Sequence, residues 1–201
     1  MPAGLTLSAP ASGTGWTCQT TGAFAAGGNQ VSCTRATVIA AGATNANAIA
    51  DSVNVGAAAA PSVSNVATVS HPTEPPANAT DNTSTLVTPV LAPNLIVTKV
   101  HSGDFSVGST GLYTITPHNT GGLNTSGTIT IADNLPNGLT FASFTGAGWA
   151  CSVTVVGPPQ TVTCNSTTNI PAFTSGNPIG LTVNVGAAAA TASPVTNNVV
   201  I

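Results

Sequence analysis

Four cysteines pose the first chemical question. They fall as two closely spaced pairs, Cys18 with Cys33 and Cys151 with Cys164, and such a pair either closes a disulfide or supplies half of a metal tetrahedron. A structural zinc site needs four ligands, and no histidine is partnered with either pair. A spacing kept in two copies within one chain points to a disulfide inside each copy. The chain-entropy model gives roughly 3 kcal/mol for loops of this size. Disulfides imply an oxidising, extracytoplasmic compartment.

A second group emerges when strand alternation is used as a ruler. Leu95, Val97 and Lys99 share one face, as do Ile129, Ile131 and Asp133, and again Val195, Asn197, Val199 and Ile201. A lysine, an aspartate and an asparagine are therefore each in phase with apolar neighbours. Burying an unpaired ammonium is costly, so three readings stand. The polar groups lie at strand ends and reach solvent, or Lys99 and Asp133 form an ion pair, or Lys99, Asp133 and Asn197 form an autocatalytic isopeptide site. In the last case an apolar setting strips the proton from Lys99 and keeps one on Asp133. The amine then attacks the Asn197 carboxamide, with Asn198 as the second-choice acceptor, and ammonia leaves. Asp51 also falls in an apolar register, with Ile49, Val53 and Val55.

Other chemistry is hard to find. There is no Gly-x-Ser-x-Gly elbow, no His-Glu-x-x-His pair and no phosphate-cradling Gly-Lys-Thr. His71, His101 and His118 fall on expected loops or strand ends and read as solvated. The acids form no calcium loop and no carboxylate pair suited to glycoside cleavage. No catalytic residue, metal or cofactor is expected. Four Asn-x-Ser/Thr sequons, at Asn78, Asn82, Asn124 and Asn165, are candidate sites of N-glycosylation.

The composition narrows the function classes. Charged residues make up 3% of the 201 residues, against about a quarter in ordinary soluble domains. Arg35 and Lys99 are the only basic side chains, too few to neutralise a row of phosphates or to hold an anionic membrane. Disorder through charge repulsion is excluded by 42% hydrophobic residues and a net charge of −3. No apolar stretch approaches the length of a spanning helix. The first residues, Met1-Pro2-Ala3-Gly4, have neither the basic nor the apolar region of a signal peptide.

An internal repeat organises these residues. Gly15-Trp16-Thr17-Cys18 matches Gly148-Trp149-Ala150-Cys151, Val31-Ser32-Cys33 matches Val162-Thr163-Cys164, and Asn54 to Ala60 recurs letter for letter as Asn184 to Ala190. Val63-Ser64-Asn65 matches Val195-Thr196-Asn197. The first copy has nothing equivalent to Pro93 through Asn134, and the second has nothing equivalent to Ser70 through Val90. The expectation is a partial β-sandwich repeat over 1–91 and a nearly complete one over 92–201, a window of a longer array or a subunit completed by its neighbours.

Between Gly, Pro, Asn and Ser punctuation run short segments rich in Val, Ile and Thr with period two. They lie at Leu95–Val100, Gly111–Thr116, Gly127–Ala132, Ile179–Val185 and Val195–Ile201. No segment has helical periodicity, and the four-alanine runs at Ala57–Ala60 and Ala187–Ala190 are too short to nucleate a helix alone, so they read as loops. The fold expected is all-β, as tandem immunoglobulin-like sandwiches. Trp16 and Trp149, each two residues before a cysteine, are expected to pack in the core beside the bridge rather than to stack on sugar.

The run from Asn94 to Thr116, with Asn119-Thr120-Gly121, Asp133 to Leu139, Gly148 to Cys151 and Val195 to Asn197, resembles the conserved-repeat domain of large prokaryotic surface proteins, the "domain of unknown function eleven" family. The resemblance implies immunoglobulin-like modules of secreted or wall-associated stalks, fibres and adhesin shafts, without catalytic residues. Pro117 departs from the family pattern and suggests a strand edge or early exit. The function expected is a structural module of an extracellular filament, stalk or cell-surface fibre. It would assemble with copies of itself or neighbouring repeats end to end or by strand exchange, with Ala77 to Val90 as candidate donor. The alternative is an adhesin-type sandwich that binds a surface glycan through exposed Thr and Asn.

Overall fold

A computed structural model of the chain describes residues 1–21, 30–43, 47–192 and 194–201. The protein is an all-β protein built of antiparallel sheets, with its backbone contacts divided into two units, Met1–Ala92 and Pro93–Ile201.

The first unit contains β1 (Leu5–Leu7), β2 (Thr17–Thr21), β3 (Gln30–Thr34), β4 (Val53–Val55), β5 (Ser62–Thr68) and β6 (Thr83–Pro89). They pair as three two-stranded ribbons, β1 with β4, β2 with β3 and β5 with β6. Its buried centre is small, Leu5, Ala59 and Val63 with Met1 and Val90 against them. Val55, Val66 and Leu86 stay exposed. Asp51, whose register is apolar, sits on this open surface and is solvated.

The second unit is a sandwich. Its strands are β7 (Leu95–His101), β8 (Thr110–Asn119), β9 (Ile129–Leu135), β10 (Leu139–Thr145), β11 (Ala150–Val155), β12 (Gln160–Ser166), β13 (Thr174–Ser175), β14 (Ile179–Val185) and β15 (Asn198–Val200). One sheet runs β10-β14-β8, with β7 on the far side of β8 and β13 continuing the β14 side; the other runs β11-β12-β9-β15. Alternate residues of both sheets meet in the core, where Ile115, Leu135, Val162, Ile179, Leu181 and Val183 are fully buried. Period-two burial follows the sequence pattern, as in β14, because each strand presents one face inward.

The sequence repeat is also a repeat of pairings. Leu5 faces Val55 as Leu139 faces Val185, and Cys18 faces Cys33 as Cys151 faces Cys164. Trp16 donates Nε1–H to the Asn47 carbonyl at 2.7 Å, and Trp149 donates to the Asn177 carbonyl at 2.9 Å. The asparagine amides answer, Asn47 to the Thr14 carbonyl and Asn177 to that of Ala147. Trp149 is a core residue and Trp16 is half-buried, with Arg35 over its ring.

Two local expectations are corrected. The alanine runs are not loops: Ala57–Ala59 is a 3₁₀ turn and Ala187–Thr191 a single-turn helix α1. Four alanines cannot nucleate a helix alone, but here tertiary contact does the work. The Gly56 and Gly186 amides donate to the Gly4 and Gly138 carbonyls, each at 2.8 Å, and the turn lies flat on those glycines with Ala59 and Ala189 buried. Gly4 and Gly138 have φ of 82° and 95°, and a Cβ on either would overlap the backbone nitrogen of Ala59 or Ala189. Gly138→Ala is therefore expected to cost about 2–4 kcal/mol, backbone strain plus a displaced turn. Gly127→Ala, with φ of 77° and open space around it, should cost only about 1 kcal/mol. Equilibrium denaturation of the two variants checks the difference.

The second correction concerns Pro117. β8 does not exit there but continues to Asn119. The Pro117 carbonyl accepts from Gly176 N–H at 2.9 Å, so its missing N–H points to the same side, into the gap where β13 gives way to β14. No ladder bond is lost there, and the strand runs on.

Candidate functional site

The two cysteine pairs are disulfides, Cys18–Cys33 joining β2 to β3 and Cys151–Cys164 joining β11 to β12. Both link directly opposed residues, with Cα atoms 4.0 Å apart. Covalent bridges at the same hairpin of each repeat fit a protein of an oxidising, non-cytoplasmic setting. Removing the second bridge as Cys151→Ser/Cys164→Ser should lower stability by about 2–4 kcal/mol, measured as a shift of the denaturation midpoint that reductant reproduces in the unaltered protein.

The three in-phase polar residues converge in the second unit. Lys99 points inward from β7, an edge strand of one sheet, and Asp133 from β9 of the other. The Lys99 ammonium contacts Asp133 Oδ2 directly, and both side chains are enclosed, 9% and 2% exposed. Asn197 lies just before β15, which pairs with β9 so that Val199 faces Asp133. The alternation Val195, Asn197, Val199 brings its carboxamide inward. Neither Asn197 Oδ1 nor Nδ2 completes a hydrogen bond among the described residues, nor does Asp133 Oδ1, and all three atoms are buried. The Asn197 carboxamide nonetheless lies close enough to Asp133 and Tyr113 to influence how both titrate.

Tyr113, inward-facing on β8 and in phase with Ile115, completes the cluster. Lys99 Nζ sits 4.4 Å from the centre of its ring. Nothing in composition or motif singles Tyr113 out; the available signal is that the only tyrosine of the chain occupies an inward position.

Burial acts oppositely on the two charged partners. Removal from water pulls the Lys99 ammonium below the ordinary lysine range, against the opposing pull of Asp133. It pushes the Asp133 carboxyl above the ordinary aspartate range, against the opposing pulls of Lys99 and Asn197. It also raises the Tyr113 phenol. The two shifts run toward one another, so proton transfer from ammonium to carboxylate costs less here than in water. The site therefore brings an amine, a carboxyl and a carboxamide together in a largely enclosed space.

The other named residues stay apart from this cluster. His71 lies in a loop, His101 ends β7, and His118 is next to last in β8, hydrogen-bonded to Thr98 and Ser175. Among the described residues no group of His, Cys, Asp or Glu could hold a metal ion, and no helix is long and apolar enough to cross a membrane. Of the sequons, Asn78 is exposed and Asn82 gives its amide to Glu74. Asn124 and Asn165 are exposed but accept bonds from Ala172 N–H and the Thr130 hydroxyl. An open groove of about 880 Å³, with Ser109, Asn137, Thr140, Gln160 and Asn184 in its walls, lies at one end of the sandwich and contains no charged residue. No protein-family model matches the chain, and no curated protein matches it in sequence.

Proposed function

We propose that the chain is a structural repeat module of an extracellular filament, stalk or cell-surface fibre, of the conserved-repeat kind its sequence resembles. The observation that carries this reading is where its chemistry lies. The reactive groups are enclosed between the sheets and tie an edge strand of one to the other, so they act on the fold itself and not on a substrate. Two further features support it. Each repeat has its own disulfide, and the near-absence of charge removes the repulsion that keeps ordinary domains apart.

Assembly would use strand edges. β5 is paired with β6, whereas its counterpart β15 pairs with β9 and, among the described residues, with no strand on its outer side. An open edge accepts a further strand, and β6, within the polar stretch from Ala77 to Val90, is the segment whose counterpart would fill it. Electron microscopy and sedimentation of the purified chain test the reading: long regular polymers are expected. Monomers that bind a glycan array would overturn it in favour of an adhesin, for which the uncharged groove at the end of the sandwich would be the site.

A further inference from the structure

We propose that Phe173 anchors a head-to-tail contact between copies of this chain, its ring entering the open groove at the opposite end of a neighbouring copy's second unit. The contact rests on the filament reading and deepens it, by naming a joining surface other than the strand edges.

The internal repeat isolates Phe173. Gly42 stands nine residues after Cys33, and Phe173 nine after Cys164. Each is the third residue of the same turn. Ala43 N–H donates to the Ala40 carbonyl at 3.0 Å, and Thr174 N–H to the Pro171 carbonyl at 3.3 Å. The position is left-handed in both copies, with φ of 73° at Gly42 and 58° at Phe173. Glycine adopts that conformation freely, whereas a bulky side chain there is strained. Among the described residues Phe173 is the one non-glycine with positive φ. It is also the one exposed Phe, Tyr or Trp, at 76%. Glycine makes this turn without strain in the first repeat, so what the second repeat gains here lies in the ring itself.

The turn is braced from beneath. Asn124 Oδ1 accepts from Ala172 N–H at 2.9 Å, and buried Asn119 ties the Pro171 carbonyl to the loop at Leu123. Leu123, 47% exposed on that adjoining loop, adds a second apolar side chain, so the tip suits an apolar pocket. The groove of about 880 Å³ is such a pocket on the same molecule, with Leu139, Val156, Pro158 and Val185 in its walls and no charged residue. No charge occurs in 119–128 or 167–178 either, so insertion strips water from no charged group, as the core of an interface requires. The two features lie at opposite ends of the sandwich. β8 begins at Thr110, in the groove wall, and ends at Asn119, bonded to the turn, with about 30 Å of strand between them. One sandwich cannot bring its own tip to its own groove. Between copies, such a heterologous contact repeats into an open filament unless its rotation closes a ring, with a buried aromatic at the centre of each junction.

Sedimentation velocity of the full, disulfide-bonded chain tests the contact. The unaltered chain is expected to associate as concentration rises. Phe173→Gly should weaken association by about tenfold or more while its thermal midpoint holds or rises, because glycine fits the turn. Val156→Glu, which puts a charge at an 89% exposed position of the groove wall, should weaken association from the other side. Mixed in equal amounts, the two variants retain one intact junction between them and should form one-to-one dimers. Association undiminished in Phe173→Gly, or a mixture without dimers, overturns the contact and leaves strand-edge assembly standing. Phe173-dependent association that stops at a closed pair or ring keeps the contact and refutes the filament. An unaltered chain that stays monomeric overturns both, as does Phe173-dependent binding of a neutral glycan by that monomer.

Discussion

Asp133→Ala is expected to lower the unfolding free energy by about 3–5 kcal/mol, because it leaves the Lys99 ammonium enclosed without a counter-charge. The Lys99 side chain is 9% exposed, so water cannot take over from the lost carboxylate. Denaturant unfolding with the disulfides intact measures it. Asp104→Ala, on an exposed loop, should stay within about 0.5 kcal/mol of the unaltered protein. The double change Lys99→Met/Asp133→Leu should recover much of the electrostatic loss, since a buried pair exchanged for apolar groups is often neutral. A midpoint for Asp133→Ala that matches Asp104→Ala would show that the pair contributes nothing.

Asn119→Ala has the next largest expected effect, about 3 kcal/mol or more. Its side chain is 1% exposed and works as a buried junction. Oδ1 accepts from Asn94 N–H and Gly121 N–H, both at 3.0 Å, while Nδ2 donates to the carbonyls of Leu123, at 2.7 Å, and Ile170, at 3.1 Å. Truncation strands several backbone groups at once, each worth about 1–3 kcal/mol when buried and unpaired. Asn124→Ala is the matched control. Asn124 is exposed and accepts one bond, from Ala172 N–H, so about 0.5–1 kcal/mol is expected. Thermal unfolding of the two variants beside the parent checks the contrast.

Asn119 and Tyr113 mark where reading by pattern stops. Both occupy inward positions of β8, and period-two alternation says as much. Alternation identifies the face a residue lies on, but not which element lies opposite. That Asn119 would meet the Ile170 carbonyl, or Tyr113 the Lys99 chain end, depends on how separate strands stack. The alanine runs failed for a related reason. Their length argues against a helix, and only the glycine seat at Gly4 or Gly138 supplies the contact that forms the turn. At Pro117 the missing donor was legible, but its harmlessness depended on the chain leaving the ladder at Gly176.

From its sequence alone this protein is all-β, twice repeated, poor in charge and cross-linked by Cys18–Cys33 and Cys151–Cys164, because turn residues, period-two patterning and repeated spacings are local properties of a chain. The inward phase of Lys99, Asp133 and Asn197 belongs to the same local record. Tertiary structure decided that Lys99 meets Asp133 and the Tyr113 ring between the sheets, that the polar atoms of Asn197 are buried while Asn198 is exposed, and that among the described residues β15 pairs only with β9. Those facts depend on sheet order and on the packing of one sheet against another, which join residues far apart in the chain and leave no periodic trace along it.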